Sequence, residues 1–192
     1  MREVGPLLDE IREIPGVLSA EVTGALRRKL EVVTTADILV VGAAGTIEGE
    51  LSELLQLSES TSLDDGIALF SAELHDGFPL HLYVAEPASA GSAQFRLTGS
   101  AEFLEAWGDA SPASNADEEG IFRSAALPYM QPELREGLGE LDAARENRLP
   151  TLLSVADLKG SIHNHSTYSD GAHSLSEMAE AARAMGLEYF AI

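Results

Sequence analysis

Short apolar segments of strand character, separated by helical periodicity, limit the first half of the chain to a mixed fold. Val17–Val22, Asp37–Val41 and Ile67–Leu74 have the length and composition that are typical of strands. Phe78–Val84 follows the third segment after His75-Asp76-Gly77, which favours a tight hairpin turn. The sequence therefore predicts an α/β fold that contains an antiparallel hairpin.

Apolar spacing and turn residues place the helices of this half of the chain. Apolar residues recur at helical spacing from Leu7 to Ile14, behind Pro6 at a first-turn position, and again from Glu48 to Leu57. Gly24–Arg28 fits a short helical turn. These segments supply the helical part of the predicted α/β pattern.

The chain changes composition after residue 107. Residues 108–115 are small and polar, which predicts a mobile loop. Short helices are predicted at Glu119–Ala125 and Gly139–Glu146, with prolines between and after them. This composition indicates a connector between two domains.

The last part of the chain predicts one further structural unit. Gly160–His163 is typical of a strand, and a loop with Asp170-Gly171 follows it. Ser174-Leu175-Ser176-Glu177 is a capping-box signature that predicts a helix, which Gly186 ends before a second strand begins at Leu187. Strand, loop, helix and strand form one parallel β/α unit.

The charge balance is strongly acidic, with 32 Asp and Glu residues against 12 Lys and Arg residues and a formal net charge of −20. Nucleic-acid binding normally relies on Lys and Arg to neutralise phosphates, so a chain this acidic repels DNA unless a basic patch, metal ions or high salt intervene. The alternative is a solvated acidic surface suited to a salty cytoplasm.

Other features predict a soluble cytoplasmic protein with no membrane partner. The absence of cysteine excludes disulfides and thiolate zinc sites. No apolar run approaches the roughly 20 residues that span a bilayer. The start at Met1-Arg2-Glu3 is followed by acidic amphipathic sequence rather than by a secretory signal.

The strongest chemical signal is the segment from His163 to Gly171. Residues two apart on a strand point to the same side, so His163 and His165 can present two imidazoles to one ion, with Asp170 in the loop that follows. Two nitrogens and a carboxylate suit zinc, manganese or iron, and such an ion could supply hydroxide for phosphoester hydrolysis. The alternative is a pair of surface histidines, with Asp170 serving the turn.

The same segment resembles the first motif of the polymerase and histidinol phosphatase (PHP) family. The stretch from Asp157 to Ile192 is similar to the PHP opening of bacterial family X DNA polymerases. The resemblance implies that His163, His165 and Asp170 are metal ligands in a cluster of up to three ions. It also implies that further ligands come from later strands, with a Thr-Asp-His motif expected directly after Ile192, so this chain holds part of one metal site.

An earlier segment resembles the nucleotidyltransferase signature of family X polymerases, which has Gly-Ser, two arginines and then Asp-x-Asp on a strand. The similar residues are Gly24-Ala25-Leu26-Arg27-Arg28 and Thr35-Ala36-Asp37. The resemblance implies that Gly24 and Arg28 face a nucleotide triphosphate and that Asp37 is a catalytic ligand for magnesium or manganese. Thr98-Gly99-Ser100 is similar to the family's Thr-Gly-Ser near the nucleotide pocket, so Gly99 and Ser100 are further nucleotide-binding candidates.

The palm signature departs from the family at two of its three carboxylates. The first aspartate falls on Thr35, which is a poor ligand for a divalent cation, and the third falls on His81. The serine of Gly-Ser falls on Ala25. A hard cation such as magnesium requires several oxygen ligands, so we expect Asp37 to be the remnant of an inactive polymerase site.

The stretch Leu127–Gly137 is similar to the linker that joins thumb to PHP domain in this family. The resemblance predicts three domains: a degenerate nucleotidyltransferase-like α+β palm at 1–107, a shortened thumb remnant and linker at 108–157, and the start of a PHP β/α barrel at 158–192.

Three functional hypotheses follow. The first is part of a family X DNA polymerase and PHP phosphoesterase that acts in DNA repair synthesis and 3′–5′ exonucleolytic processing, with an inactive polymerase site. Its expected partners are gapped or 3′-ended DNA and nucleotides. The second is a PHP-type metal-dependent phosphoesterase whose palm only binds. The third is a truncated, non-enzymatic remnant.

Overall fold

The computed structural model describes residues 3–58, 61–63, 66–108 and 115–192, and it divides the chain into two compact units, Met1–Leu149 and Pro150–Ile192. The mixed α/β class predicted from the sequence is confirmed. Most of the predicted loop at 108–115 lies outside the described residues. The three predicted domain ranges stay predictions. Within the described ranges, no helix combines the length and the apolarity that crossing a bilayer requires.

The first unit contains both helices and strands as far as its last strand, and only helices and loops after that strand. Its elements in chain order are α1 (Val4–Arg12), β1 (Val17–Val22), α2 (Gly24–Arg27), β2 (Ala36–Gly42), α3 (Ala44–Leu54), β3 (Thr61–Ser62), β4 (Ala68–Glu73), β5 (Pro79–Ala85), α4 (Ala90–Thr98), α5 (Ala101–Trp107), α6 (Glu118–Ser124) and α7 (Glu140–Arg145).

The strands of this unit form a five-stranded mixed sheet in the order β1-β2-β5-β4-β3. β4 and β5 form the predicted antiparallel hairpin, and β1 is antiparallel to β2. β2 and β5 are parallel, in a register that places Asp37 beside His81 and Leu39 beside Tyr83. This one parallel pair brings two distant parts of the sequence to the same place.

Apolar residues of β2 reach both faces of the sheet, because consecutive strand residues point to opposite sides. Helices cover both faces. Ile38 and Val40 pack on one face in a core that includes Ile11 of α1 and Ile47 of α3. Leu39 and Val41 pack on the opposite face in a smaller cluster that includes Ala93 of α4. Asp37 shares the second face, so it lies on the side of the sheet that α4 covers.

A third core joins α4 to the helices that follow it. Phe95, Phe103 and Phe122 are buried there beside Met130, and Trp107 packs against them. Residues of the predicted connector therefore contribute side chains to a buried cluster of the first unit.

The second unit contains β6 (Gly160–Ser161), α8 (Leu175–Ala184) and β7 (Tyr189–Phe190). β6 and β7 pair in parallel, which confirms the predicted β/α unit. Ser174 and Glu177 form the predicted capping box at the start of α8.

The strand predicted at Gly160–His163 is wrong in its extent. β6 ends at Ser161, and His163 adopts φ +60°, a left-handed conformation that takes the backbone out of an extended path. His163 and His165 are therefore not two residues of one strand. Their proximity comes from the loop that follows β6.

Candidate nucleotide and metal sites

The first candidate site is a half-buried polar cluster on the parallel strands β2 and β5. His81 Nδ1 lies 3.2 Å from Asp37 Oδ1, and the Tyr83 side chain is close enough to favour the ionised form of Asp37. The register of β2 and β5 produces this cluster, because it places all three side chains on one face of the sheet. Asp37 thus has two polar neighbours on β5, of which His81 is in hydrogen-bond contact with it.

Burial sets the protonation behaviour of this cluster. It raises the pKa of Asp37 above its usual value, although His81, Tyr83 and Arg28 each act in the opposite direction. Burial also raises the pKa of Tyr83 to about 12, and the charge and hydrogen bond of Asp37 add to that effect. Tyr83 therefore stays a neutral hydrogen-bond donor over the physiological pH range.

Gly24 lies directly against Asp37 at the start of α2. The backbone N–H of Thr23 donates to the carbonyl oxygen of Asp37 at 2.8 Å. Gly24 has φ +58°, and a Cβ atom placed on it would lie 2.6 Å from Asp37 Oδ2. A side chain at position 24 would therefore be both strained and in collision with the carboxylate.

Arg28 connects this region to the Thr98-Gly99-Ser100 turn. Its Nη1 donates to the carbonyl oxygen of Thr98 at 2.7 Å, and its Nε donates to Glu136 Oε1 at 2.6 Å. Ser100 is buried as the N-cap of α5, where its hydroxyl oxygen accepts from the backbone N–H of Phe103 at 3.0 Å. The structure brings Gly24, Arg28 and Asp37 together and places the turn beside Arg28.

Glu118 is a central residue of this region that the sequence analysis did not single out. Arg27 donates to both of its carboxylate oxygens at 2.8 Å, and Arg135 and Tyr129 also donate to it. Burial opposes the ionisation of Glu118, but the hydrogen bonds and charges of Arg27 and Arg135 outweigh burial and lower its pKa. The position of Glu118, 91 residues after Arg27, carries no local sequence signal.

Arg135 is the other residue that sequence reasoning missed. Its side chain is 0% exposed, and its Nε and Nη2 both donate to the carbonyl oxygen of Met130. The guanidinium lies 4.9 Å from the ring centroid of Phe122 and 5.2 Å from that of Tyr129. Arg135 belongs to the stretch Leu127–Gly137 that is similar to the family linker, but its burial follows from the tertiary packing.

The second candidate site lies in the loop after β6, in the second unit. The ring centroids of His163 and His165 are 5.3 Å apart, and His165 Nδ1 lies 2.6 Å from Asp170 Oδ1. A Cβ atom on Gly171 would lie 2.0 Å from the carbonyl oxygen of His165, so only glycine allows the loop to fold back this tightly. All three predicted metal ligands are exposed neighbours in this loop.

The residue types in this loop suit a divalent cation, but their arrangement in the structure does not. Two imidazoles and a carboxylate suit zinc, manganese or iron. Within the part of the chain that the structure describes, no group of three or more His, Cys, Asp or Glu side chains is arranged to hold a metal ion. The metal-ligand roles of His163, His165 and Asp170 stay predictions.

Part of the chain is similar to the DNA polymerase/3′-5′ exonuclease PolX of Bacillus subtilis (strain 168). The two proteins are 39% identical over 75 residues, which are 39% of this chain and 13% of that protein. No family model matches the chain. The similarity supports a relationship to this DNA polymerase over part of the chain.

Proposed function

We propose that this chain is part of a family X-type DNA polymerase and PHP phosphoesterase whose palm binds but does not polymerise. The observation that carries the non-polymerising palm is that His81 already occupies the carboxylate of Asp37, at 3.2 Å. The partial similarity to a DNA polymerase/3′-5′ exonuclease supports a DNA-related role.

Polymerisation by two metal ions requires several carboxylates that together hold one ion at the attacking oxygen and one at the leaving oxygen. Asp37 has a histidine and a tyrosine as its side-chain partners, and Thr35 and His81 stand where the resemblance implies aspartates. Magnesium and manganese prefer several oxygen ligands, so one carboxylate already bound to a histidine is a poor site for either ion. The palm then serves to bind gapped or 3′-ended DNA or nucleotides through Gly24, Arg28, Gly99 and Ser100.

In this proposal the second unit supplies the phosphoesterase ligands. His163, His165 and Asp170 would hold part of a zinc, manganese or iron site, and a bound ion would supply hydroxide for phosphoester hydrolysis. The contact between His165 Nδ1 and Asp170 Oδ1 supports this proposal, because it brings an imidazole and a carboxylate of the proposed ligand set within 2.6 Å of each other. The proposed role is 3′–5′ processing of DNA ends in repair.

A synthesis assay tests the palm. We expect the purified chain to show no extension of a primer on gapped DNA with magnesium or manganese. The matched control is Thr35→Asp/His81→Asp, which restores both missing carboxylates. Template-dependent extension by the wild-type chain would reject the proposal of a non-catalytic palm.

Metal analysis tests the second unit. We expect weak, substoichiometric binding of zinc or manganese that falls in His163→Ala/His165→Ala and persists in His173→Ala, a variant in the same loop. Unchanged metal content in the double variant would reject the ligand assignment. Metal binding without nucleotide release from a 3′-ended oligonucleotide would favour the non-enzymatic remnant over the phosphoesterase.

A further inference from the structure

Three consecutive cations at the end of α2 are each paired with a carboxylate from the segment that begins at α6. The pairs are Arg27 with Glu118 (2.8 Å), Arg28 with Glu136 (2.6 Å) and Lys29 with Glu133 (2.6 Å). Arg28, the cation that the resemblance associates with a triphosphate, is therefore already paired with a carboxylate of the same chain.

The pair between Arg28 and Glu136 has the geometry of a strong interaction. The Arg28 side chain is 11% exposed and that of Glu136 is 26% exposed, so solvent screens the pair only weakly. By contrast, Lys29 is 76% exposed, and its pair with Glu133 is accessible to water and salt. Arg28 also donates to the carbonyl oxygen of Thr98 at 2.7 Å, which places Glu136 beside the turn that is a candidate for nucleotide binding.

The backbone around Glu136 is held from both sides. The carbonyl oxygen of Arg135, which is fully buried, accepts a hydrogen bond from the backbone N–H of Ser100 at 3.0 Å. Gly137 has φ +76°, and a Cβ atom there would lie 2.5 Å from Cβ of Glu102. Glu136 is thus presented to Arg28 from a fixed position, which gives its carboxylate a high effective concentration.

We propose that Glu136 is an internal competitor that occupies Arg28 and keeps phosphate groups from it. Carboxylate and phosphate oxygens both accept charge-assisted hydrogen bonds from a guanidinium, so a phosphate has to displace Glu136 before it can bind Arg28. This inference rests on the proposed binding role of the palm, and it adds a regulatory contact to that role.

Binding of inorganic triphosphate to the full chain, measured by isothermal titration calorimetry in the presence of EDTA, tests the inference without a metal. We expect Glu136→Gln to bind triphosphate about tenfold more tightly than the wild type, since one competing charge-assisted hydrogen bond is removed. Glu133→Gln changes the net charge by the same amount and is expected to stay within about twofold of the wild type. The gain should disappear in Glu136→Gln/Arg28→Ala.

The outcomes separate the competitor from the binding site. Equal affinities for the wild type, Glu136→Gln and Glu133→Gln, all abolished by Arg28→Ala, would reject the competitor and retain the site. An equal gain in Glu136→Gln and Glu133→Gln would assign the effect to net charge and also reject the competitor. If neither the wild type nor Glu136→Gln binds triphosphate, the competitor and the palm's binding role both fail. Glu136→Asp, which keeps the charge and shortens the side chain, should give an intermediate affinity and replaces Glu136→Gln if that variant does not fold.

Discussion

Gly24 is the single residue on which the geometry of the Asp37 cluster depends most directly. We expect Gly24→Ala to lower the free energy of unfolding by about 1–3 kcal/mol, because alanine is strained at φ +58° and its methyl group would collide with Asp37 Oδ2. Urea unfolding followed by the fluorescence of Trp107, the one tryptophan of the chain, measures this change.

Gly49→Ala is the matched control for this prediction. Gly49 lies inside α3, and a Cβ atom there would meet nothing within 4 Å. Alanine at position 49 should stabilise the protein by up to about 1 kcal/mol, since it favours the helix over the unfolded chain. A similar loss in both variants would contradict the special role of Gly24.

At the same scale, Tyr83 shows why part of the site was not predictable. Gly24, Arg28 and Asp37 were found through a motif that is local in sequence, and the structure brings them together. Tyr83 carries no such motif. It reaches Asp37 because β5 pairs in parallel with β2. The sequence predicts β5 and its hairpin with β4 but does not indicate that β2 lies on the other side of β5.

Among the elements, those marked by a local sequence pattern are predicted, and those without such a pattern are not. The strands β1, β2, β4 and β5 match their predicted segments within two residues, because each is a short apolar run bounded by turn residues. α4 and α5 were not predicted, since the small residues Ala90-Gly91-Ser92-Ala93 give no amphipathic pattern. Gly91 is needed there because a Cβ atom would lie 2.4 Å from the backbone of Asp117.

The connection of α6 to α2 and to the segment around Arg135 leads to a prediction about pH. Glu118→Gln should lower the free energy of unfolding by roughly 3 kcal/mol at neutral pH, because Arg135 would lose the carboxylate that compensates its buried charge. The pKa of Glu118 is lowered on folding, so its contribution is present above its usual value of 4.5 and is lost as pH falls through the folded value.

Unfolding curves at pH 7 and at acid pH, again followed through Trp107, check this prediction. The difference between wild type and Glu118→Gln should shrink at the lower pH. Glu119→Gln is the control, since Glu119 and its partner Arg123 are both more than half exposed and their pair should contribute less than about 1 kcal/mol. An equal, pH-independent loss in both variants would contradict the role given to Glu118.

On the scale of the whole molecule, the buried networks and the net charge act in opposite directions. The pairs made by Arg27, Arg28 and Arg135 use three of the twelve basic residues, and they lie in the interior or at its edge. The acids exceed the bases by the full net charge of −20, and many of them are on the surface. Mutual repulsion of these charges destabilises the compact state at low salt, where screening is weak.

Salt should therefore stabilise this protein. Between about 0.05 and 1 M potassium chloride we expect the midpoint of thermal unfolding to rise by on the order of 5 °C, because screening weakens the repulsion more than it weakens the partly buried ion pairs.

α3 carries Glu48, Glu50 and Glu53 on its exposed face and contains no basic residue, so Glu48→Gln/Glu50→Gln/Glu53→Gln removes repulsion without breaking a pair within that helix. The triple variant should unfold at a higher temperature than the wild type in low salt and respond less to added salt. A midpoint that falls with salt in both proteins would show that ion pairs, rather than the excess of acids, dominate the electrostatic stability of the chain.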